Sequence, residues 1–282
     1  YQDDPDYRAY LGCLQSLYPN NILGQDIAGS VDSIEKITVK DLKDNFDCFY
    51  KPANCHLVLV GDFDVEDIYT FVNEKQSEFT LPESKVEKEK NPIESDNQKL
   101  DSLQMEIFIS KLAIGFKSVP FTDNRMEKYT GTVIVQFTVW LDVSLLSNWY
   151  AEGKIDESVS IEYEVSNRYS FVVMTMDTAE PIRMSSLIRQ VMTSQIKNIV
   201  DEEALDLQKK ALYGEFLRSL DNIQNLGSQY LAYFENDKTY FDFGQELMSI
   251  TSKDLKDFLN HYLSNIEITD FVVFPKLSDY LL

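Results

Sequence analysis

Ile37-Thr38-Val39-Lys40-Asp41-Leu42-Lys43-Asp44 returns as Ile250-Thr251-Ser252-Lys253-Asp254-Leu255-Lys256-Asp257, with seven of eight residues identical at an offset of 213. Both copies lead into an apolar run at the same offset, Val58-Leu59-Val60-Gly61 in the first and Phe271-Val272-Val273-Phe274 in the second. Solenoids repeat every roughly 20 to 50 residues, so this spacing is that of one duplicated domain. Only 36 residues precede the first motif. Projecting a second-copy start at residue 103 back by 213 gives 103 − 213 = −110, which predicts a first copy truncated on its N-terminal side.

The rest of the chain is read outward from that repeat. Tyr7, Tyr10, Leu11, Leu14 and Leu17 recur at helical steps after Pro5, and Pro19-Asn20-Asn21 ends the run. Thr38 with Asp41 three positions on is close to a capping box, and Ser33 is a second cap candidate. The following helix presents Leu42, Phe46 and Phe49-Tyr50 on one face and stops before Pro52. His56 to Gly61 reads as a buried strand, and Val65 to Phe79 as a helix with Ile68, Phe71 and Val72 inward.

Residues 82 to 102 contain Pro82, Pro92 and dense charge with hardly an apolar side chain, the composition of a linker. Residues 1–82 and 103–282 are therefore the expected copies, joined by a charged linker at 83–102. The second copy is expected to open with a strand from Met105 to Phe116 and to continue with a helix from Glu127 to Tyr150. An antiparallel hairpin, Ser158 to Glu164 and Tyr169 to Thr175, comes next. Helices from Pro181 to Ile199 and from Asp201 to Tyr233, broken near Asn225-Leu226-Gly227, precede the repeated helix and a closing strand, Thr269 to Pro275. Interleaving without strict βαβ alternation predicts an α+β fold, an antiparallel sheet covered by helices on one face.

With 26 basic and 47 acidic residues, the net charge of −21 repels phosphate backbones and anionic headgroups, which argues against nucleic acid and membrane partners. It favours basic peptide segments, or simply solubility. Cys13, Cys48 and Cys55 form no C-x-x-C pair, and no apolar run reaches the roughly 18 to 20 residues of a membrane span, so a cytoplasmic setting is expected. His56 and His261 are isolated, and neither H-E-x-x-H, H-x-x-E-H, G-x-S-x-G nor a phosphate-binding glycine loop occurs. The residues themselves point to no catalytic constellation, no cofactor and no metal site.

Tyr18-Pro19-Asn20-Asn21, Asp26-Ile27-Ala28-Gly29-Ser30, Ile37-Thr38, Phe49-Tyr50, Pro52-Ala53-Asn54 and Val58-Leu59-Val60-Gly61-Asp62 together resemble the back half of the catalytic domain of the pitrilysin/insulinase family of zinc peptidases. Ala113-Ile114-Gly115-Phe116-Lys117, Lys209 to Ser219 and Val272-Val273-Phe274-Pro275-Lys276 resemble the family's second, non-catalytic domain. The resemblance is closest to the bacterial processing-protease-like subgroup. It implies two homologous α+β domains facing each other as a clam shell around a peptide. It also implies zinc held by an H-x-x-E-H helix and a distal Glu, all lying before this sequence begins, with none of those ligands among its residues. The family's L-R-x-x-G-x-x-Y pattern for substrate anchoring aligns with Trp149 to Asp156. Gly153 is kept, Tyr150 stands in the Arg position and Asp156 in the Tyr position, so Tyr150 and Gly153 are the candidate substrate-facing residues. The implied partners are a peptide substrate and either the missing N-terminal catalytic half or a homologous subunit. An uncovered half-domain adds self-association as an expectation.

Overall fold

The computed structural model describes residues 2–77, 102–120, 149–165, 168–195, 202–233 and 239–276. Most of the linker, and the helix expected from Glu127 except its last two residues, lie outside the described residues.

Helix α1 (Pro5–Leu17) starts where Asp4 accepts from the backbone N–H groups of Asp6 (3.0 Å) and Tyr7 (3.1 Å), with Pro5 in the first turn where no donor is lost. After a short helix α2 (Val31–Ile34), helix α3 (Val39–Phe49) opens on the expected capping box. Asp41 N donates to Thr38 Oγ1 (3.2 Å) and Thr38 N to Asp41 Oδ2 (2.8 Å). Helix α4 spans Val65–Ser77, with Ile68 and Val72 half-buried and Phe71 exposed.

Five strands form one sheet in the order β1-β5-β2-β4-β3. They are β1 (Leu103–Met105), β2 (Ser110–Ser118), β3 (Ser160–Val165), β4 (Ser170–Thr178) and β5 (Glu267–Pro275). Every pairing is antiparallel except β1 with β5, so the sheet is mixed. The single strand expected from Met105 to Phe116 is two, because the chain turns between them and Met105 O accepts from Ile107 N at 2.9 Å and Lys276 N at 2.7 Å. Helices α5 (Pro181–Gln190, continued by a π-helical turn at Val191–Gln195), α6 (Glu202–Leu220), α7 (Ile223–Tyr233), α8 (Phe243–Ser249) and α9 (Ser252–Ser264) complete the described elements. The break between α6 and α7 falls earlier than expected: Asn222 Oδ1 accepts from Asn225 N at 3.2 Å and so caps α7.

Helices cover both faces of the sheet, not one. Side chains alternate along a strand, so Leu112, Ile114 and Phe116 of β2 join Val172, Met174 and Met176 of β4 on one face. Met184 and Ile188 of α5, Tyr262 of α9, Trp149 and Ile155 fill that layer. The opposite face, Ala113, Phe171, Val173, Phe271 and Val273, packs against Ala9, Cys13, Leu14 and Leu17 of α1. Two glycines permit this approach. A Cβ on Gly12 would meet the Phe271 ring at 2.5 Å, and one on Gly115 would meet Cys13 Sγ at 2.6 Å. Lys117, buried, donates to Leu17 O at the end of α1 (3.1 Å), pairs with Glu267 (3.1 Å) and lies over the Tyr18 ring.

The compact units cut across chain order. Tyr1–Ala28 joins Lys90–Ala211 and Glu246–Leu282 in one, while Gly29–Glu89 joins Leu212–Gln245 in the other. The 213-residue offset maps α1 onto residues 218–230, which overlap α7. Whereas Gly12 of α1 abuts Phe271, a Cβ on Gly227 of α7 would lie 3.8 Å from Val58, the counterpart of Phe271. Residues 58 and 60 thus lie against α7 in one unit, as Phe271 of β5 lies against α1 in the other.

The expected buried strand at His56 to Gly61 does not form. Among the described residues no strand pairs with it, and Leu57, Leu59 and Val60 are exposed. Its counterpart β5 is held between β1 and β2, and a strand without a neighbour leaves its backbone groups unpaired.

Candidate functional site

Trp149, buried in the core, anchors the last turn of a helix whose end lies at residue 151. Gly153 N donates to Tyr150 O (3.0 Å) and Lys154 N to Trp149 O (2.8 Å), the paired bonds of a Schellman stop. Gly153 has φ +66°, a conformation that a side chain strains, although a Cβ there would meet nothing within 4 Å. Glycine is therefore required here by the backbone and not by crowding. The turn brings Tyr150 and Gly153 together, with the Tyr150 ring half exposed.

The same turn feeds β3. Ile155 is buried, and Asp156 Oδ1 accepts from Ser158 N at 2.9 Å. Hydrogen bonds from the Ser158 side chain and backbone hold the Asp156 carboxyl below the usual carboxylate range. Ser158 Oγ in turn accepts from Asp177 N at 2.8 Å, and Lys111 pairs with both Asp177 (2.7 Å) and Asp6 (3.0 Å). Burial works against the Lys111 charge, but the hydrogen bonds from its ammonium to these two carboxylates win, and its pKa is raised. This chain of contacts ties the turn to the sheet and to α1. The sequence reading did not single out either lysine, although Lys117 stands in the Ala113 to Lys117 stretch.

His56, Cys48 and Cys55 are exposed, and Cys13 is buried, where desolvation pushes its thiol pKa up, the opposite of nucleophile activation. Among the described residues no three His, Cys, Asp or Glu side chains gather as metal ligands. The described side chains do not form a zinc donor set. No described helix is long and apolar enough to cross a membrane.

In the other unit, Leu57 to Gly61 lines a groove of about 470 Å³ together with Leu226, Tyr230 and Phe241. Beside it in sequence, α3 turns Leu42, Phe46, Phe49 and Tyr50 to solvent, with Phe46 and Tyr50 stacked at 5.0 Å between ring centroids.

Residues 36–212 match the family model described as the peptidase M16 inactive domain. The chain belongs to this family. The pitrilysin/insulinase resemblance is thereby borne out. The M16 chain is 27% identical over 283 residues to the uncharacterized zinc protease YmfH of Bacillus subtilis, covering 98% of itself and 66% of that protein. It is 22% identical over 289 residues to the non-peptidase homolog YmxG of Helicobacter pylori, covering 99% and 65%. It thus spans about two thirds of the length of these relatives. The solved M16-like structure from Alicyclobacillus acidocaldarius superposes with a TM-score of 0.83 at 22% identity, over 98% of this chain and 67% of that one. The α+β architecture, a mixed sheet flanked by helices, is the M16 fold.

Proposed function

We propose that the chain is the non-catalytic portion of an M16 zinc endopeptidase. It supplies the second domain and one wall of a peptide chamber, while zinc is held by residues outside these 282. The observation that carries this reading is alignment of 98% of the chain with a protein named as a zinc protease. Tyr150, exposed beside the Gly153 stop, faces the peptide, and the net charge of −21 suits basic segments of that peptide. The compartment is the cytoplasm, in keeping with three cysteines that form no disulfide.

A second reading is a non-catalytic subunit that pairs with an active homologue. The Trp149 to Asp156 turn favours it: Tyr150 stands where the family has Arg, and Asp156, which replaces Tyr, spends its carboxylate on Ser158. The relative named as a non-peptidase homologue points the same way.

Zinc content and hydrolysis of quenched fluorescent peptides by the purified chain test both readings. Neither stoichiometric zinc nor cleavage is expected, and finding either one sinks the assignment. The reading frame upstream of Tyr1 separates the two, since an H-x-x-E-H there supports the peptidase and its absence the partner subunit.

A further inference from the structure

Within the unit that holds the sheet, helix α5 and strand β5 flank a cleft of about 530 Å³. That volume is in the range of about 300–1,000 Å³ that small ligands fill. Ile182, Ser185, Ser186 and Arg189 line it from one face of the helix, and Ile268 and Asp270 from the strand.

Arg189 is held in place from three directions. Its Nε donates to Ser185 Oγ (3.3 Å), one Nη to Ile268 O (3.0 Å) and the other to Asp270 Oδ1. A guanidinium carries more N–H donors than these partners take. Ser185 is 5% exposed and accepts from Arg189, yet among the described residues its own hydroxyl hydrogen meets no acceptor. The second carboxylate oxygen of Asp270 also has no partner among them. A buried polar group left unsatisfied costs free energy that a bound ligand restores. The cleft therefore presents unspent donors and an unspent acceptor around one charge-balanced ion pair.

This arrangement selects its ligand by elimination. An anion is disfavoured by Asp270 and by the net charge of −21, and a metal cation by the guanidinium. β1 reaches β5 only at Val273 to Pro275, so among the described residues no strand lies beside Ile268 to Asp270 on that side. Arg189 occupies the Ile268 carbonyl that an added strand would need, and a charged side chain placed this way blocks strand addition. What fits is a neutral group with an acceptor next to a donor, the secondary amide. Its C=O accepts from Ser185 and Arg189, and its N–H donates to Asp270.

We propose that the α5–β5 cleft is a peptide subsite that reads a main-chain amide through Ser185, Arg189 and Asp270. The proposal rests on the functional reading above, in taking peptide as the ligand, and deepens it by naming a subsite and its chemistry.

The probe is tri-alanine blocked as the N-acetyl, N-methylamide derivative, which carries no charge for the chain's −21 to attract. In NMR titration of the full chain, the Arg189 Nε–H signal, identified by its loss in Arg189→Lys, is expected to shift and saturate at millimolar probe. Ser185→Ala leaves the Arg189 to Asp270 pair in place and is expected to weaken binding by about five- to tenfold. Replacing the central amide N–H of the probe by an ester oxygen is expected to weaken it as much on the unaltered protein, where no question of folding arises. An ion pair that merely pins α5 to β5 predicts no saturating shift. That result, or equal binding by either Ser185→Ala or the ester, overturns the proposal. Zinc binding or cleavage by the chain would sink the functional reading instead, and leaves the titration standing.

Discussion

At single residues, burial sets which groups can ionise. Tyr163 on β3 has its phenol pushed up to about 12 by desolvation, and Tyr169 is pushed up to about 12 by burial and then by Glu164. The ordinary tyrosine value is about 10. Below that pH both phenols are neutral folded or unfolded, and they do not bias stability. Between about pH 10 and 12 the unfolded chain releases protons that the folded chain retains, so stability falls as pH rises. Lys111, whose pKa is also raised, loses its stabilising charge in the same alkaline direction. The melting temperature is therefore expected to hold up to about pH 9 and to drop steeply above about pH 10, and Tyr163→Phe to flatten the drop. An unchanged slope in Tyr163→Phe would remove this residue from the account.

Between elements, the contact of α1 with the sheet is set by two absent side chains. Gly115→Ala puts a methyl group 2.6 Å from Cys13 Sγ and 2.7 Å from Leu17 Cδ1, both held in a packed layer. Overpacking of this kind costs about 1–3 kcal/mol, to be read as a lower urea midpoint at unchanged slope. A wild-type midpoint would mean that α1 slides freely on the sheet. Local signals revealed α1, α3 with its Thr38–Asp41 capping box and the hairpin β3-β4, whereas α2 is capped by Ser30 and not by Ser33, which sits one turn in and donates its backbone N–H to Ser30. What α1 covers was not legible, because its stripe of Leu11, Leu14 and Leu17 fits any apolar face, and the sheet it meets lies about a hundred residues further on. The strand expected at His56 to Gly61 failed for the same reason: its Leu-Val-Leu-Val run is strand-like, but pairing is a property of two segments. At the Tyr150 turn, the sequence marked Gly153 through a family pattern, whereas the structure explains it by φ +66°. Lys111 and Lys117 escaped notice because nothing local separates a buried lysine from a solvated one.

For the whole molecule, opposing forces act on the exposed apolar side chains of α3. Leu42, Phe46, Phe49 and Tyr50 are all exposed along and just after α3, and Leu57 and Leu59 are exposed in the same unit; exposed apolar side chains of this kind favour association. Self-association through them is resisted by the net charge of −21, which repels like copies at long range. Salt shortens that repulsion to a Debye length of about 8 Å near physiological strength and leaves apolar burial intact. Sedimentation velocity is therefore expected to show concentration-dependent association that strengthens as salt is raised, the reverse of an interface held by ion pairs. Phe46→Glu adds a charge to the centre of the α3 face, at a site 56% exposed, and is expected to abolish association with helix content unchanged. A strict monomer at all concentrations and salts, or a Phe46→Glu variant that associates as well as the wild type, would assign the contact elsewhere.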